Sequence, residues 1–247
     1  MEIETVNSNS GIYAQLQRAT VHFNQALFDG ILPDVLLTLQ RGAGIAGYFS
    51  PKRWIHVSGK TASEIAMNPN FFGNNCLLTL FQTIVHEQCH LWQHEFGSPS
   101  RLGYHNAEWA SKMVSVGLIP SSTGAPGGKQ TGQKMSDYPT IDGPFIASCI
   151  DLLNDKFTIP WIDQGFDAKT TMRSLATPDL SLPPDVQKRL YAPIGDSIGL
   201  GYPKVDLQSA AKKRKLKYSC QRCHSNVWGK PGMRLRCVAC DADFICQ

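Results

Sequence analysis

LLTLFQTIVHEQCHLWQH, residues 77–94, combines a helical pattern with a metal-binding pattern. Its apolar side chains recur at helical spacing and predict an amphipathic helix from about Asn75 to His94. Within it, His86 and His90 are four residues apart, so both imidazoles lie on one helix face and can reach one ion. Glu87 is close enough to reach a water on that ion without binding it.

Together these residues form the HExxH pattern of zinc peptidases. Zinc lowers the pKa of a bound water towards about 7, and a carboxylate such as that of Glu87 can then take its proton. HExxH also arises by chance in helices, and metal hydrolases with non-protein substrates can carry it. The apolar residues on both sides favour a buried, functional helix, because a surface helix with accidental histidines would be more polar.

A catalytic zinc site usually has a third protein ligand, for which two histidines compete. His94 continues the spacing of four, but on a straight helix it lies too far along the axis. His105 follows Phe96-Gly97 and a loop of Ser, Pro and Gly, so the chain can turn back there and start a new helix. We therefore favour His105, with His94 at the surface or in the cleft, and we interpret His22 and His56 as ordinary histidines.

The first 120 residues predict an α+β fold in the order helix, small sheet, HExxH helix, helix. The first helix covers residues 11–29, and the last runs from about His105 to Val116. Short β-like runs between Gly, Pro and Ser predict the strands Val35–Leu39, Ile45–Phe49, Trp54–Val57 and Ile65–Met67.

The middle of the chain carries fewer signals. Residues 121–136 are rich in Gly, Ser and Thr and predict a linker or long loop. Gly143–Leu153 can form a short helix, whereas residues 160–210 show no sustained period. We therefore expect a first domain at 1–120, a linker region at 121–217 that ends in a basic run, and a small domain at 218–247.

Four cysteines form two CxxC pairs near the C-terminus: Cys220, Cys223, Cys237 and Cys240. Pairs at this separation predict a tetrahedral four-thiolate zinc site of the ribbon type, which is structural because no coordination position stays open. An iron–sulfur cluster on the same thiolates is an alternative. CxxCH at 220–224 resembles a haem attachment site, and Cys246 is an alternative ligand without a CxxC partner.

Basic residues concentrate in the same part of the chain. Residues 201–247 carry 10 basic and 3 acidic side chains, net +7, whereas the rest of the chain is slightly acidic. Cations match phosphates and exposed aromatic rings stack on unpaired bases, so this tail predicts contact with DNA, in particular single-stranded DNA. The candidate contacts are Lys212, Lys213, Arg214, Lys215, Lys217, Trp228, Arg234 and Arg236, with Tyr218 interleaved. Alternatively, the lysine run is a solvated linker and Trp228 belongs to the core of the small domain.

Residues 86–120, HEQCHLWQHEFGSPSRLGYHNAEWASKMVSVGLIP, resemble the SprT-like metallopeptidase family, to which Spartan belongs. Upstream, FNQALFDGILP (23–33), GYFSPKRW (47–54) and EIAMNP (64–69) are also similar to it, and a zinc ribbon after the protease domain is a further shared feature. The resemblance covers residues 12–120 and 218–246.

This resemblance implies a zincin-like protease fold with one catalytic zinc on His86, His90 and His105, and Glu87 as the general base. It also implies a protein substrate, in particular protein bound or crosslinked to DNA. The alternative is a DNA- or protein-binding module whose zincin site is vestigial or structural. The first ten residues lack a secretory pattern and no apolar run suits a membrane span, so we expect a cytoplasmic, nucleoid-associated or, in a eukaryotic host, nuclear protein.

Overall fold

The computed structural model describes residues 8–42, 44–72, 75–163, 182–194 and 215–246. The chain divides into two compact units, a first unit at Met1–Tyr202 and a second unit at Pro203–Gln247. Among the helices of these described ranges, none is long and apolar enough to cross a membrane.

The first unit begins with helix α1 (Ser8–Leu27), as the helical spacing predicts. A three-stranded sheet follows, built from β1 (Leu36–Leu39), β2 (Gly47–Ile55) and β3 (Thr61–Met67). The central strand β3 pairs parallel to β1 and antiparallel to β2, so β2 lies at one edge of the sheet.

The two strands expected at Ile45–Phe49 and Trp54–Val57 are parts of the single strand β2. Its register with β3 shifts between Ser50 and Trp54, and Lys52 at the shift adopts a left-handed φ of 46°. This bulge explains why the strand reads as two short runs, because it interrupts the alternation of the side chains.

Helix α2 (Pro69–Phe72) is short and precedes α3 (Leu77–Phe96), the helix that carries HEQCH. Residues 77–85 of α3 are all buried, so this half of the helix runs through the core. Helix α4 (Ala107–Ser115) begins two residues later than expected. The reason is the Asn106 side chain, which accepts a hydrogen bond from Trp109 N–H and caps the helix.

The structure corrects the linker region expected at 121–217, whereas the long loop expected at 121–136 and the short helix expected at Gly143–Leu153 are both found. Strands β4 (Leu118–Ser121) and β5 (Ser136–Pro139) pair antiparallel, so the Gly- and Ser-rich residues between them form the loop of a hairpin. Helices α5 (Pro144–Asn154) and α6 (Pro184–Tyr191) follow. Both contribute buried apolar side chains to the same core as α1 and α3. The first unit therefore extends well past residue 120.

The second unit is a four-stranded antiparallel sheet in the order β7-β6-β9-β8. Its strands are β6 (Leu216–Cys220), β7 (Asn226–Gly229), β8 (Arg236–Cys237) and β9 (Ala242–Cys246).

Tyr218 is the buried aromatic residue of this sheet, and its hydroxyl donates to Lys230 O at 2.7 Å and accepts from Met233 N–H at 3.2 Å. Because Tyr218 is buried, the expectation that it is available for stacking is wrong. Trp228 is 61% exposed, so the alternative that it belongs to the core of this unit is also wrong.

Candidate metal centres

Three histidines from two parts of the first unit converge on one point. His86 and His90 lie one turn apart on α3, and His105 lies at the end of the turn that leads into α4. One ring nitrogen from each histidine lies within 4.8 Å of the others, a spacing at which three imidazoles can share an ion. The structure thus brings together the three histidines that were expected to do so, and His94 lies outside this group.

Trp109 forms the wall behind the three imidazoles. Its side chain is fully buried, and its ring centroid lies 4.8, 5.2 and 4.4 Å from those of His86, His90 and His105. Because the tryptophan touches all three rings, it restricts their rotation and keeps their nitrogens directed at the shared point.

Asp137 fixes the tautomer of His86. Its Oδ2 accepts a hydrogen bond from His86 Nδ1 at 3.1 Å, so the proton lies on Nδ1 and Nε2 carries the lone pair that a metal needs. Gln82, one turn before His86 on α3, donates to Asp137 Oδ1 at 2.9 Å and to its backbone oxygen at 3.2 Å. Asp137 could not be recognised from the sequence, because nothing in its local pattern points to a histidine 51 residues earlier.

Gly132 does the same for His105. The two residues exchange backbone hydrogen bonds of 2.9 and 3.1 Å, and His105 Nδ1 donates to Gly132 O at 3.1 Å. The hairpin loop between β4 and β5 therefore holds the third histidine, and its glycine-rich composition gave no indication of this role.

Burial keeps two of the imidazoles neutral. It lowers the pKa of His90 to about 2, and together with His86 it lowers the pKa of His105 to about 4. Neutral imidazole is the form that binds a metal ion. The site therefore needs no deprotonation step at these histidines at neutral pH.

Glu87 is buried beside the histidines. The backbone of Phe49, in β2, lies near its carboxyl. Burial raises the pKa of this carboxyl to about 7, outweighing the lowering effects of His86 and of the Phe49 backbone. The carboxyl can thus hold or release a proton near neutral pH, as a general base requires.

A cleft of about 1020 Å³ opens over this site. The first half of β2, the turn 99–105 and residues 133–137 of the hairpin line its walls, and His86, Glu87 and His90 face it. His94 also lines the cleft, where its ring contacts Phe49 at 5.9 Å between centroids.

The second cluster consists of the four expected cysteines of the second unit. One sulfur from each of Cys220, Cys223, Cys237 and Cys240 lies within 4.8 Å of the others, and Cys246 is not part of this group. In both CxxC pairs the residue after the second cysteine, His224 or Asp241, adopts a left-handed φ of 58° or 48°. The matching turns direct all four sulfurs inward, which favours a shared metal over haem attachment at one pair.

Hydrogen bonds with Ser225 lower the pKa of the Cys223 thiol to about 6, whereas hydrogen bonding with Cys223 raises the pKa of the Cys240 thiol to about 12. Metal binding requires deprotonated cysteines, so the Cys223 thiol is ready for it, whereas Cys240 must lose its proton when a metal binds.

The candidate DNA contacts of the tail are only partly described. Lys212, Lys213 and Arg214 lie outside the described residues. Among the others, Lys217 of β6 pairs in register with the exposed Trp228 of β7, which places a cation beside an aromatic ring on one face of the sheet. Lys215 and Arg234 are exposed. Arg236 is also exposed, but it forms an ion pair with Asp241 at 2.8 Å.

Both clusters suit zinc by the chemistry of their donors, since three imidazole nitrogens and four thiolates are typical ligand sets for it. A mixed helix and sheet fold with a histidine triad from α3 and the turn before α4, followed by a four-cysteine module, defines the class of protein. The chain belongs to the SprT-like family, which residues 16–126 match.

Over 54 residues the chain is 48% identical to a Salmonella typhimurium protein described as "Uncharacterized protein in mucB 3'region". That stretch is 22% of this chain and 73% of the relative. No solved structure matches the chain.

Proposed function

We propose that this chain is a zinc-dependent endopeptidase that acts on DNA-associated proteins, including proteins crosslinked to DNA. The observation that carries the proposal is the buried Glu87 carboxylate beside three converging histidines, on the wall of an open cleft. A purely structural metal site needs neither the carboxylate nor the cleft. Membership of the SprT-like family supports the same reading.

The catalytic zinc would be held by His86, His90 and His105. When bound, it would polarise the scissile carbonyl of the substrate and lower the pKa of a water molecule. Glu87 would act as the general base that accepts a proton from the attacking water and then donates it to the leaving amine. Through its hydrogen bond with Nδ1, Asp137 would hold His86 in position to bind the zinc. Because β2 is an edge strand that lines the cleft, an extended polypeptide could pair with it there.

DNA association is supported by the second unit. There Lys217, Arg234 and the exposed Trp228 offer cations and a stacking surface, and the four cysteines would hold a structural zinc. A substrate of this kind would place the protein at the nucleoid, or in the nucleus of a eukaryotic host.

The decisive test is Glu87→Gln, with cleavage of a DNA-bound protein and of the chain itself measured with and without single-stranded DNA. We expect cleavage to fall by about 10³-fold, because general base catalysis is lost while the histidines remain. Zinc content should not change. Glu95→Gln, near the end of the same helix, is the matched control and should cleave normally. Undiminished cleavage by Glu87→Gln would contradict the proposal.

A second candidate is a DNA-binding module whose histidine site is not catalytic, favoured by the 61% exposure of Trp228. In that case wild type and Glu87→Gln would bind DNA equally, and neither would cleave any of a mixed set of DNA-binding proteins.

A further inference from the structure

Strands β2 and β3 continue into a projecting hairpin, residues 51–60, in which every residue is exposed. The hairpin is ordered by its own hydrogen bonds. His56 N–H donates to Lys60 O at 2.7 Å and Gly59 N–H to His56 O at 2.8 Å, which closes the turn. At its base, Lys52 N–H donates to Ser63 Oγ at 3.1 Å and holds the bulge in place. The surface is therefore shaped before any partner arrives.

The hairpin is strongly basic. It carries Lys52, Arg53 and Lys60, and no acidic residue occurs between Ser50 and Ser63. Three of the 7 basic residues in the first 120 positions thus lie within ten residues, although those 120 positions are net acidic. A local field of this kind suits a polyanion.

An aromatic ring lies among these cations. Trp54 is 44% exposed. It pairs in register with Ala62 of β3, and closer to the turn His56 lies opposite Lys60, to which its backbone is hydrogen-bonded. Residues two apart on a strand share a face, so Trp54, His56 and Lys60 lie on the same face of the hairpin. Exposed Ile55 lies on the opposite face.

We propose that the projecting hairpin binds single-stranded DNA, as a site on the first unit separate from the basic tail. Phosphates would meet Lys52, Arg53 and Lys60, and an unpaired base would stack on Trp54. The choice of DNA over RNA rests on the proposed function. Because Ser50 and Pro51 line the cleft, the bound strand would run next to it and bring attached proteins within reach of Glu87.

The test measures binding of a fluorescent oligothymidylate by the full chain, in a Glu87→Gln background that prevents self-cleavage. We expect Trp54→Ala to weaken binding by about tenfold, the effect of losing one stacked base. Its matched control is Trp161→Ala, because Trp161 belongs to the same unit and has nearly the same exposure, 45%. That variant should bind like the parent.

Charge is tested by the double variant Lys52→Gln, Arg53→Gln. The slope of log affinity against log salt should become shallower by about 1.4, since each phosphate contact to a single strand contributes about 0.7. Neutralising exposed Lys129 and Lys188 together is the control and should leave the slope unchanged.

A third measurement needs no variant. An oligonucleotide that contains 5-iododeoxyuridine should photocrosslink to Trp54 in the parent protein, as peptide mass spectrometry can show. Crosslinks confined to the tail, with unchanged affinity and slope in the hairpin variants, would overturn the proposal. A second outcome would also overturn it. If the hairpin variants, made in the chain that keeps Glu87, raise KM for a DNA-free protein substrate but leave oligonucleotide affinity unaltered, the hairpin binds polypeptide instead. None of the binding outcomes depends on whether Glu87 is catalytic.

Discussion

At the scale of single residues, the histidine site depends on partners that do not themselves bind the metal. Asp137 and Gly132 accept hydrogen bonds from the Nδ1 atoms of His86 and His105, and Trp109 packs against all three rings. Such partners set the tautomer and orientation of each ligand, so their loss weakens metal binding even when every ligand remains.

Asp137→Asn should therefore lower the zinc affinity of the histidine site by about 10- to 100-fold. The amide is a weaker acceptor than the carboxylate and holds the His86 tautomer less firmly. Competition with a calibrated chelator measures this directly. Asp142→Asn makes the same chemical change at an exposed turn residue and should have no effect. Equal affinities in the two variants would show that Asp137 does not position His86.

At the scale of elements, the turn between α3 and α4 decides where His105 lies. Glu108, in the first turn of α4, accepts hydrogen bonds of 2.7 Å from Ser98 N–H and from Gln93 Nε2 of α3. A Cβ at Gly97 would lie 2.6 Å from the Glu108 carboxylate, so glycine permits this close approach. The start of α4 is thereby tied to the end of α3, which brings His105 back to His90.

Both hydrogen bonds lower the pKa of Glu108, and the one from Ser98 has the larger effect. A carboxyl with a lowered folded-state pKa stabilises the fold above its unfolded pKa of 4.5, and the contribution is lost as pH falls through the folded value. The difference in melting temperature between wild type and Glu108→Gln should thus be largest near pH 7 and shrink below about pH 4.5.

Melting curves for that comparison are recorded with chelator throughout, so that metal release at low pH does not contribute. Asp34→Asn, at an exposed carboxyl before β1, should show no such pH-dependent difference. A difference between wild type and Glu108→Gln that stays constant down to pH 3 would argue against the role of the charge.

At the scale of the whole molecule, the two units have different reasons to be stable. The first unit has a large apolar core to which α1, α3, α4 and α5 all contribute. In the described part of the second unit, the buried apolar side chains are Tyr218, Cys220 and Cys237. We expect a module of this size with so few buried side chains to depend on a bound metal for folding, and we expect the first unit to fold without one.

We therefore expect two zinc ions per chain that are released in two steps. The ion on the three histidines should leave first, because its site is open to the cleft, and the first unit should keep its structure. Removal of the second ion should unfold the second unit, so that trypsin can cleave its backbone after Arg222, Arg234 and Arg236, whose side chains are already exposed in the fold. Zinc release to a colorimetric reporter and timed proteolysis measure the two events.

Cys237→Ser should lower the zinc count from two to one, and Cys246→Ser should not, since Cys246 lies outside the cluster. A count of one in the wild type, held by the cysteines, would instead favour the binding-module alternative.

Local spacing was enough to predict α1, α3 and α4, and the pairing of His86 with His90. Their encoding is local, because a helix repeats every 3.6 residues and places positions four apart side by side. The same holds for the two CxxC pairs, each of which forms one turn. Helix α6 was not predicted, because it lies in a proline-rich stretch and packs against α3 and α5, which are distant in the sequence.

Local spacing in the sequence was thus enough to indicate which residues of this protein can bind metal. How they are held depends on tertiary packing: Asp137 and Gly132 come from a stretch resembling a linker, Glu87 is buried beside the histidines, and Trp228 is exposed while Tyr218 is buried. The reason is that these contacts join residues far apart in the chain. Their partners are selected by the packing of whole elements, which no local period records.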